Sequence, residues 1–297
     1  MGLRESPDEL RAIQARARAN AQVLKLPFRQ QRWRGQSGGF QGTGVGSSLD
    51  FHDHRVYLPG DDPRQINWQA YARTGTYTMK LYREEVRPLV DLIFDVSESM
   101  FAFADKERRA LELFAFCVEA SLQTGAALRC FAVRGESHLP LEVEALAGGT
   151  WPGELDRLRA AKPETPPETG RLPLRAGAMR VLVSDLLFPA EPETILAPLG
   201  SRNGRGIVFA PFCLEESDPG WDGNYEFMDA ETRGEHQHRI EPALLQRYGH
   251  AYARHFDLWK GSAAKHSTAL VRVPAEMDFQ RALQAEGLMA GAVEVGV

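Results

Sequence analysis

Leu89-Val90-Asp91-Leu92-Ile93-Phe94-Asp95-Val96-Ser97-Glu98-Ser99-Met100 is an apolar run that ends in a carboxylate followed by two hydroxyls at alternate positions. Leu89 to Phe94 is short and almost wholly apolar, the pattern of a strand covered on both faces in an α/β sheet. Asp95 then falls at the carboxyl end of that strand, where the loops leaving an open α/β sheet diverge and ligands bind. In an extended loop Ser97 and Ser99 face one point while Glu98 faces away. One carboxylate with two neutral hydroxyl oxygens is a hard donor set suited to Mg²⁺ or Mn²⁺, with positions left for water or a partner's carboxylate. The competing reading of the same residues is an Asp that caps the next helix.

Beyond this stretch, Asp105 to Gln123 carries apolar residues around much of its circumference, among them Ala110, Leu113, Phe114, Phe116 and Cys117. That predicts a helix buried between layers, ended by Gly125. Ala127 to Val133 is the next strand, so the unit should cross over right-handed and pair parallel. Met179-Arg180-Val181-Leu182-Val183-Ser184-Asp185 repeats the opening theme of a strand ending in Ser-Asp. Strands over Gly206–Cys213 and Thr268–Val273, and helices over Trp151–Ala161, Pro242–Lys260 and Met277–Gln284, continue the alternation. The expected architecture is a doubly wound, mostly parallel sheet with helices on both faces. Lys162 to Pro173 reads as a Pro-rich loop, and Tyr225 to Glu235 as a strand and turn.

Toward the amino terminus, Thr76 to Glu84 alternates in character and predicts a strand or hairpin arm. Pro59-Gly60-Asp61-Asp62-Pro63 is a turn, with Arg55, Asp61, Asp62 and Arg64 expected to form a salt-bridged lattice over Trp68. Asp61 and Asp62 make a poor acid/base pair, because adjacent carboxylates point apart in most turns. His52 and His54 would share a strand face but lack further metal ligands. The Gly-rich segment from Arg32 to Ser48 is no phosphate loop, since Val45 stands where its lysine should, and it reads as a flexible connector. Ser6-Pro7-Asp8-Glu9 carries a capping box that starts an amphipathic helix running to Pro27, with Leu10, Ile13, Ala17, Ala21 and Leu24 on one face. Its modest, Ala-rich stripe suits docking on the protein's own body better than a membrane. The expected division is residues 1–28 as the amphipathic helix, 29–86 as the Gly-rich segment and a small β-containing module, and 87–297 as the α/β domain.

The 297 residues, 43% of them hydrophobic and 25% charged, suffice to bury a large core. A net charge of -5 argues against nucleic acid as the main partner. No apolar window is long enough to span a bilayer and Met1 to Ser6 leads into a charged segment, so a cytoplasmic location is expected. Cys117, Cys130 and Cys213 are odd in number and far apart, as reduced core cysteines are.

Two resemblances sharpen this picture. Asp95-Val96-Ser97-Glu98-Ser99 resembles the metal-ion-dependent adhesion site of von Willebrand factor A domains. Gly46 to Trp68, with its Arg55-Val56-Tyr57-Leu58-Pro59-Gly60-Asp61-Asp62-Pro63-Arg64-Gln65-Ile66-Asn67-Trp68 core, then Ala72-Arg73 and Lys80 to Glu85, resembles the signature of the bacterial domain of unknown function 58 (DUF58) family, which joins such a motif to such a domain. The resemblance implies a von Willebrand factor A-like fold and a metal shell to which Asp185 contributes, often through water. It also implies a threonine from the preceding loop, for which Thr165 and Thr169 are candidates, Thr169 the preferred one. The helix that normally separates that threonine from the strand is absent, because Arg171 to Ala178 is short and holds Pro173 and Gly177. Many relatives carry N-terminal membrane helices, which this sequence lacks.

The implied role is a non-enzymatic, chaperone-like adaptor that docks a protein by letting its Glu or Asp complete a Mg²⁺ or Mn²⁺ shell. The implied partner is a MoxR-type AAA+ ATPase, together with a client protein. Two alternatives stand beside it. One is a Mg²⁺-dependent phosphoesterase or phosphotransferase using Asp95, weakened because Ser97 occupies the place where an aspartyl-phosphate site has a second Asp. The other is a scaffold that keeps the fold without metal.

Overall fold

The structure is a computed structural model that describes residues 6–30, 37–45, 51–159, 165–230 and 234–296. It divides into two units, residues 29–88 and residues 1–28 with 89–297. The chain starts with helix α1 (Pro7–Val23) and a short strand β1 (Leu24–Lys25), and the smaller unit follows with β2 (Ser37–Val45), β3 (Phe51–Val56), α2 (Trp68–Thr74) and β4 (Thr78–Val86). The larger unit resumes with β5 (Leu89–Asp95), α3 (Ala104–Gln123), β6 (Ala127–Arg134), β7 (Ser137–Leu141), α4 (Val143–Gly148), α5 (Pro152–Arg159), β8 (Met179–Val183), α6 (Pro192–Gly200) and β9 (Arg205–Phe212). It ends with α7 (Leu214–Ser217), β10 (Gly223–Met228), β11 (Glu235–Ile240), α8 (Pro242–Lys265), β12 (Thr268–Pro274), α9 (Phe279–Gly287) and β13 (Glu294–Val295).

The larger unit is mixed α/β, built on a six-stranded sheet of order β12-β9-β8-β5-β6-β7. All neighbours are parallel except β7, which runs antiparallel on β6. The run from Leu89 to Asp95 is buried after its first residue because it lies in the middle of the sheet with helices on both faces. Phe94 stacks on Phe114 of α3 with ring centroids 4.6 Å apart. Ile93 turns the other way, into a core shared with Leu196 and Leu199 of α6 and Phe256 and Trp259 of α8. Successive strands are added on one side of β5 for β6 and on the other for β8, β9 and β12. The strand order reverses between β5 and β8, and the carboxyl ends at such a switch point are where open sheets of this kind bind ligands.

Helix α1 begins with the expected capping box, Ser6 accepting from the Glu9 backbone while Glu9 accepts from the Ser6 N–H. It lies on α3, where Arg18 pairs with Glu119 at 3.2 Å. The helix stops at Val23 instead of running to Pro27, because Leu24 and Lys25 pair antiparallel with Val295 and Glu294.

In the smaller unit three antiparallel strands take the order β2-β4-β3. The flexible-connector reading of the Gly-rich segment is corrected over Ser37–Val45, which is an edge strand on β4 with two register shifts. Glycine suits such a bulged edge, since it tolerates the irregular backbone. Residues 31–36 and 46–50 lie outside the described residues. The expected lattice resolves into two separate ion pairs, Arg55 with Asp61 through two bonds of 2.6 and 2.7 Å, and Arg64 with Asp62 at 3.2 Å. Trp68 does not lie beneath them. It is 58% exposed, edge-on to Tyr71 and Tyr77, because Asn67 caps α2 and turns the Trp68 side chain outward.

Candidate metal centre

Strand β5 ends at Asp95, and the chain then turns through Ser97 and a short 3-10 turn at Ser99–Phe101 before α3 begins. The turn is fixed by the Asp95 carboxylate, whose Oδ1 accepts the Ser97 N–H at 2.9 Å. Its Oδ2 accepts the Ser184 hydroxyl at 2.6 Å, which ties the end of β5 to the residue just past β8. Ser97 Oγ and Ser99 Oγ lie 3.2 Å apart, Ser97 buried and Ser99 half-buried. Asp95, Ser97 and Ser99 thus sit together where β5 ends and the chain turns toward α3.

Asp95 differs from the other buried carboxylate of the same strand. Asp91 meets the Arg175 guanidinium, whose Nε lies 2.8 Å from Oδ1, and the Arg175 N–H at 2.7 Å, so its charge is compensated. Asp95 meets only neutral donors. Burial, followed by the Asp185 charge, pushes its carboxyl up to about 7.

Asp185 is drawn the other way. Its Oδ1 accepts the Leu187 N–H at 3.1 Å and its Oδ2 accepts from Lys106 Nζ at 2.9 Å. Lys106, on the first turn of α3, also donates to Glu216, and all three side chains are buried. Glu216 in turn accepts the Cys213 N–H at 3.0 Å. Burial alone would lower the Lys106 ammonium, but the two carboxylates outweigh it and hold it above its usual value.

An octahedron of oxygens at the Mg²⁺ bond length has edges of about 2.9 Å. The 3.2 Å between the two serine hydroxyls is close to such an edge, and Asp95 adds a carboxylate whose donors are all neutral, so the chemistry of these three residues suits a small divalent ion. The rest of the expected shell does not assemble around them. Asp185 is held by Lys106, the Thr169 hydroxyl donates to the Ile195 carbonyl at 2.9 Å, and Thr165 is exposed. Among the described residues no three His, Cys, Asp or Glu side chains are grouped as metal ligands.

Sequence reasoning missed Lys106, Glu216 and the Ser184 hydroxyl. For Lys106 a signal existed: it falls at helical spacing on the stripe of Ala110, Leu113 and Cys117, and a charge on a buried stripe demands a buried counter-charge. Glu216 belongs to a four-residue helix and carries no such signal.

A family model described as "Protein of unknown function DUF58" matches residues 53–257. Curated relatives 26% identical over 250 residues, covering 80% of this chain and 78% of their own, include "Uncharacterized protein Mb1516" of Mycobacterium bovis and "Uncharacterized protein Rv1480" of Mycobacterium tuberculosis. Among solved structures, conserved hypothetical protein BatB from Bacteroides thetaiotaomicron aligns with a TM-score of 0.38 at 11% identity, over 68% of this chain and 98% of that one. An aerotolerance-related membrane protein from Bacteroides fragilis aligns over the same shares with a TM-score of 0.35 at 10% identity. No helix among the described residues of the present chain is long and apolar enough to cross a membrane.

Proposed function

The chain belongs to the DUF58 family, and on that premise we propose that it is a non-enzymatic docking module with a von Willebrand factor A-like fold, which takes an acidic side chain of a partner through a divalent cation at an adhesion-type site. Asp95, Ser97 and Ser99 are the residues that would hold Mg²⁺ or Mn²⁺. When bound, the ion supplies a positive focus with positions open to a partner's Glu or Asp. The partner we propose is a MoxR-type AAA+ ATPase, the pair acting in assembly or remodelling of a client, and an ATP-driven partner carries with it a cytoplasmic location.

The observation that carries the reading is the Asp95 carboxylate at the carboxyl end of β5, met only by neutral donors and followed directly by two hydroxyls 3.2 Å apart. A phosphotransferase reading fares worse. An aspartyl-phosphate site has a second Asp two residues after the first, and Ser97 stands in that place. A metal-free scaffold draws support from one specific contact, the Lys106 ammonium on Asp185.

Calorimetric titration of Mg²⁺ and Mn²⁺ into the purified protein and Asp95→Ala, each with and without the ATPase, separates these readings. Saturable heat that Asp95→Ala abolishes, and co-elution with the ATPase that a chelator reverses, are expected. Wild-type protein silent under all four conditions overturns the metal reading in favour of the scaffold.

A further inference from the structure

The side chains around Asp185 place a cation of the protein's own beside the candidate metal centre. Lys106 Nζ lies 2.9 Å from Asp185 Oδ2 and is hydrogen-bonded to Glu216, in a pocket where the lysine side chain is 1% exposed, Asp185 1% and Glu216 9%. The ring of Phe103 covers the ammonium from 5.9 Å. Ser184, the neighbour of Asp185, bonds to Asp95 at 2.6 Å, so this ion pair adjoins the metal triplet directly. A buried ammonium held by two carboxylates is fixed in place, since removing it leaves two buried charges without a partner.

We propose that Lys106 is an affinity-setting residue: its ammonium occupies Asp185 in place of a divalent ion or an ion-bound water, and so keeps the metal site incomplete until a partner's carboxylate arrives. This deepens the adhesion-type reading and rests on it. With Asp185 withheld, Asp95 is the one carboxylate of the expected shell left to the ion. Harder ions gain affinity with each added anionic oxygen, so a site of one carboxylate and two hydroxyls holds Mg²⁺ or Mn²⁺ weakly by itself. A docking carboxylate restores the missing anion, and by linkage the ion and the partner then raise each other's affinity. Lys106 thereby makes metal occupancy conditional on docking.

The test is Mn²⁺ binding to the full chain, first without any partner and then with the ATPase added, read from loss of the free-ion electron paramagnetic resonance signal. Wild type is compared with Lys106→Gln, Lys106→Gln/Glu216→Gln and Lys106→Gln/Asp185→Asn, with circular dichroism as the check of fold. The second variant removes one buried carboxylate along with the lysine and serves where the single change does not fold. Freeing Asp185 should tighten Mn²⁺ binding by roughly ten-fold or more, the scale seen when groups around a metal ligand are altered, and Asp185→Asn should remove the gain. Equal affinity in wild type and the Lys106 variants overturns the inference while leaving the adhesion-type site standing. Binding in the variants but none in wild type, with the ATPase also present, supports the assignment of Lys106 and overturns metal-dependent docking by the native chain. Silence in every protein overturns both.

Discussion

Two buried carboxylates of one strand, Asp91 and Asp95, meet different fates, and the difference gives a prediction at the scale of one proton. The Asp95 carboxyl, pushed up to about 7 by burial and by Asp185, keeps its proton more tightly folded than unfolded. Its contribution to stability is complete below the ordinary value of 3.8 and is lost as pH rises to about 7. Metal-free protein should therefore weaken, by a few kcal/mol at most, between about pH 4 and about pH 7. Asp95→Asn keeps the shape without the charge, and the Ser184 hydroxyl can turn to accept from the new amide. Urea unfolding in a chelator should show a flatter pH slope for this variant and greater stability than wild type at the alkaline end. An unchanged slope would mean that Asp95 ionises as freely in the fold as in water. At this scale Asp95, Ser97 and Ser99 were legible because chain spacing alone brings them onto one loop. The engagement of Asp185 and Thr169 was not, because Lys106 and Ile195 reach them from elements distant in sequence.

Helix α1 shows what an element's surface decides. Ala17 and Ala21 are 3% and 0% exposed on its inner stripe, small enough to bring α1 close to α3. Ala21→Leu forces extra volume into that contact and should cost roughly 1–3 kcal/mol. Ser6→Ala, which removes the exposed cap, should cost only about 1 kcal/mol. Urea midpoints rank the two, and a costlier Ser6 change would show that α1 depends on its cap more than on its seat. The helices and inner strands were legible because each carries its apolar period and its end signals. The edge strands were not: in β2 the glycines resemble a linker, and in β7 Pro140 argues against a strand wherever both edges must pair.

The whole chain leaves its larger unit after Phe28 and re-enters it at Leu89. The six-stranded sheet, its core and the β1–β13 pairing all belong to that unit, so replacing residues 29–88 by a flexible Gly/Ser linker should leave a single cooperative unfolding transition with native far-ultraviolet dichroism. A product without cooperative unfolding would show that the larger unit needs the smaller one to fold. The alternation of strands and helices made the sheet readable at this scale, while the pairing of Leu24 with Val295 across nearly the full length of the chain left no local trace. The outer strand bears on how molecules behave in company. Val133 offers its carbonyl toward β5, where the Val96 N–H takes it, so by alternation its neighbour two back, Phe131, also faces β5. Pro140, opposite Phe131, then turns its nitrogen to the open side of β7. A strand from a second molecule laid along that margin finds no hydrogen there, and copy-by-copy growth into a fibre stalls at a missing rung.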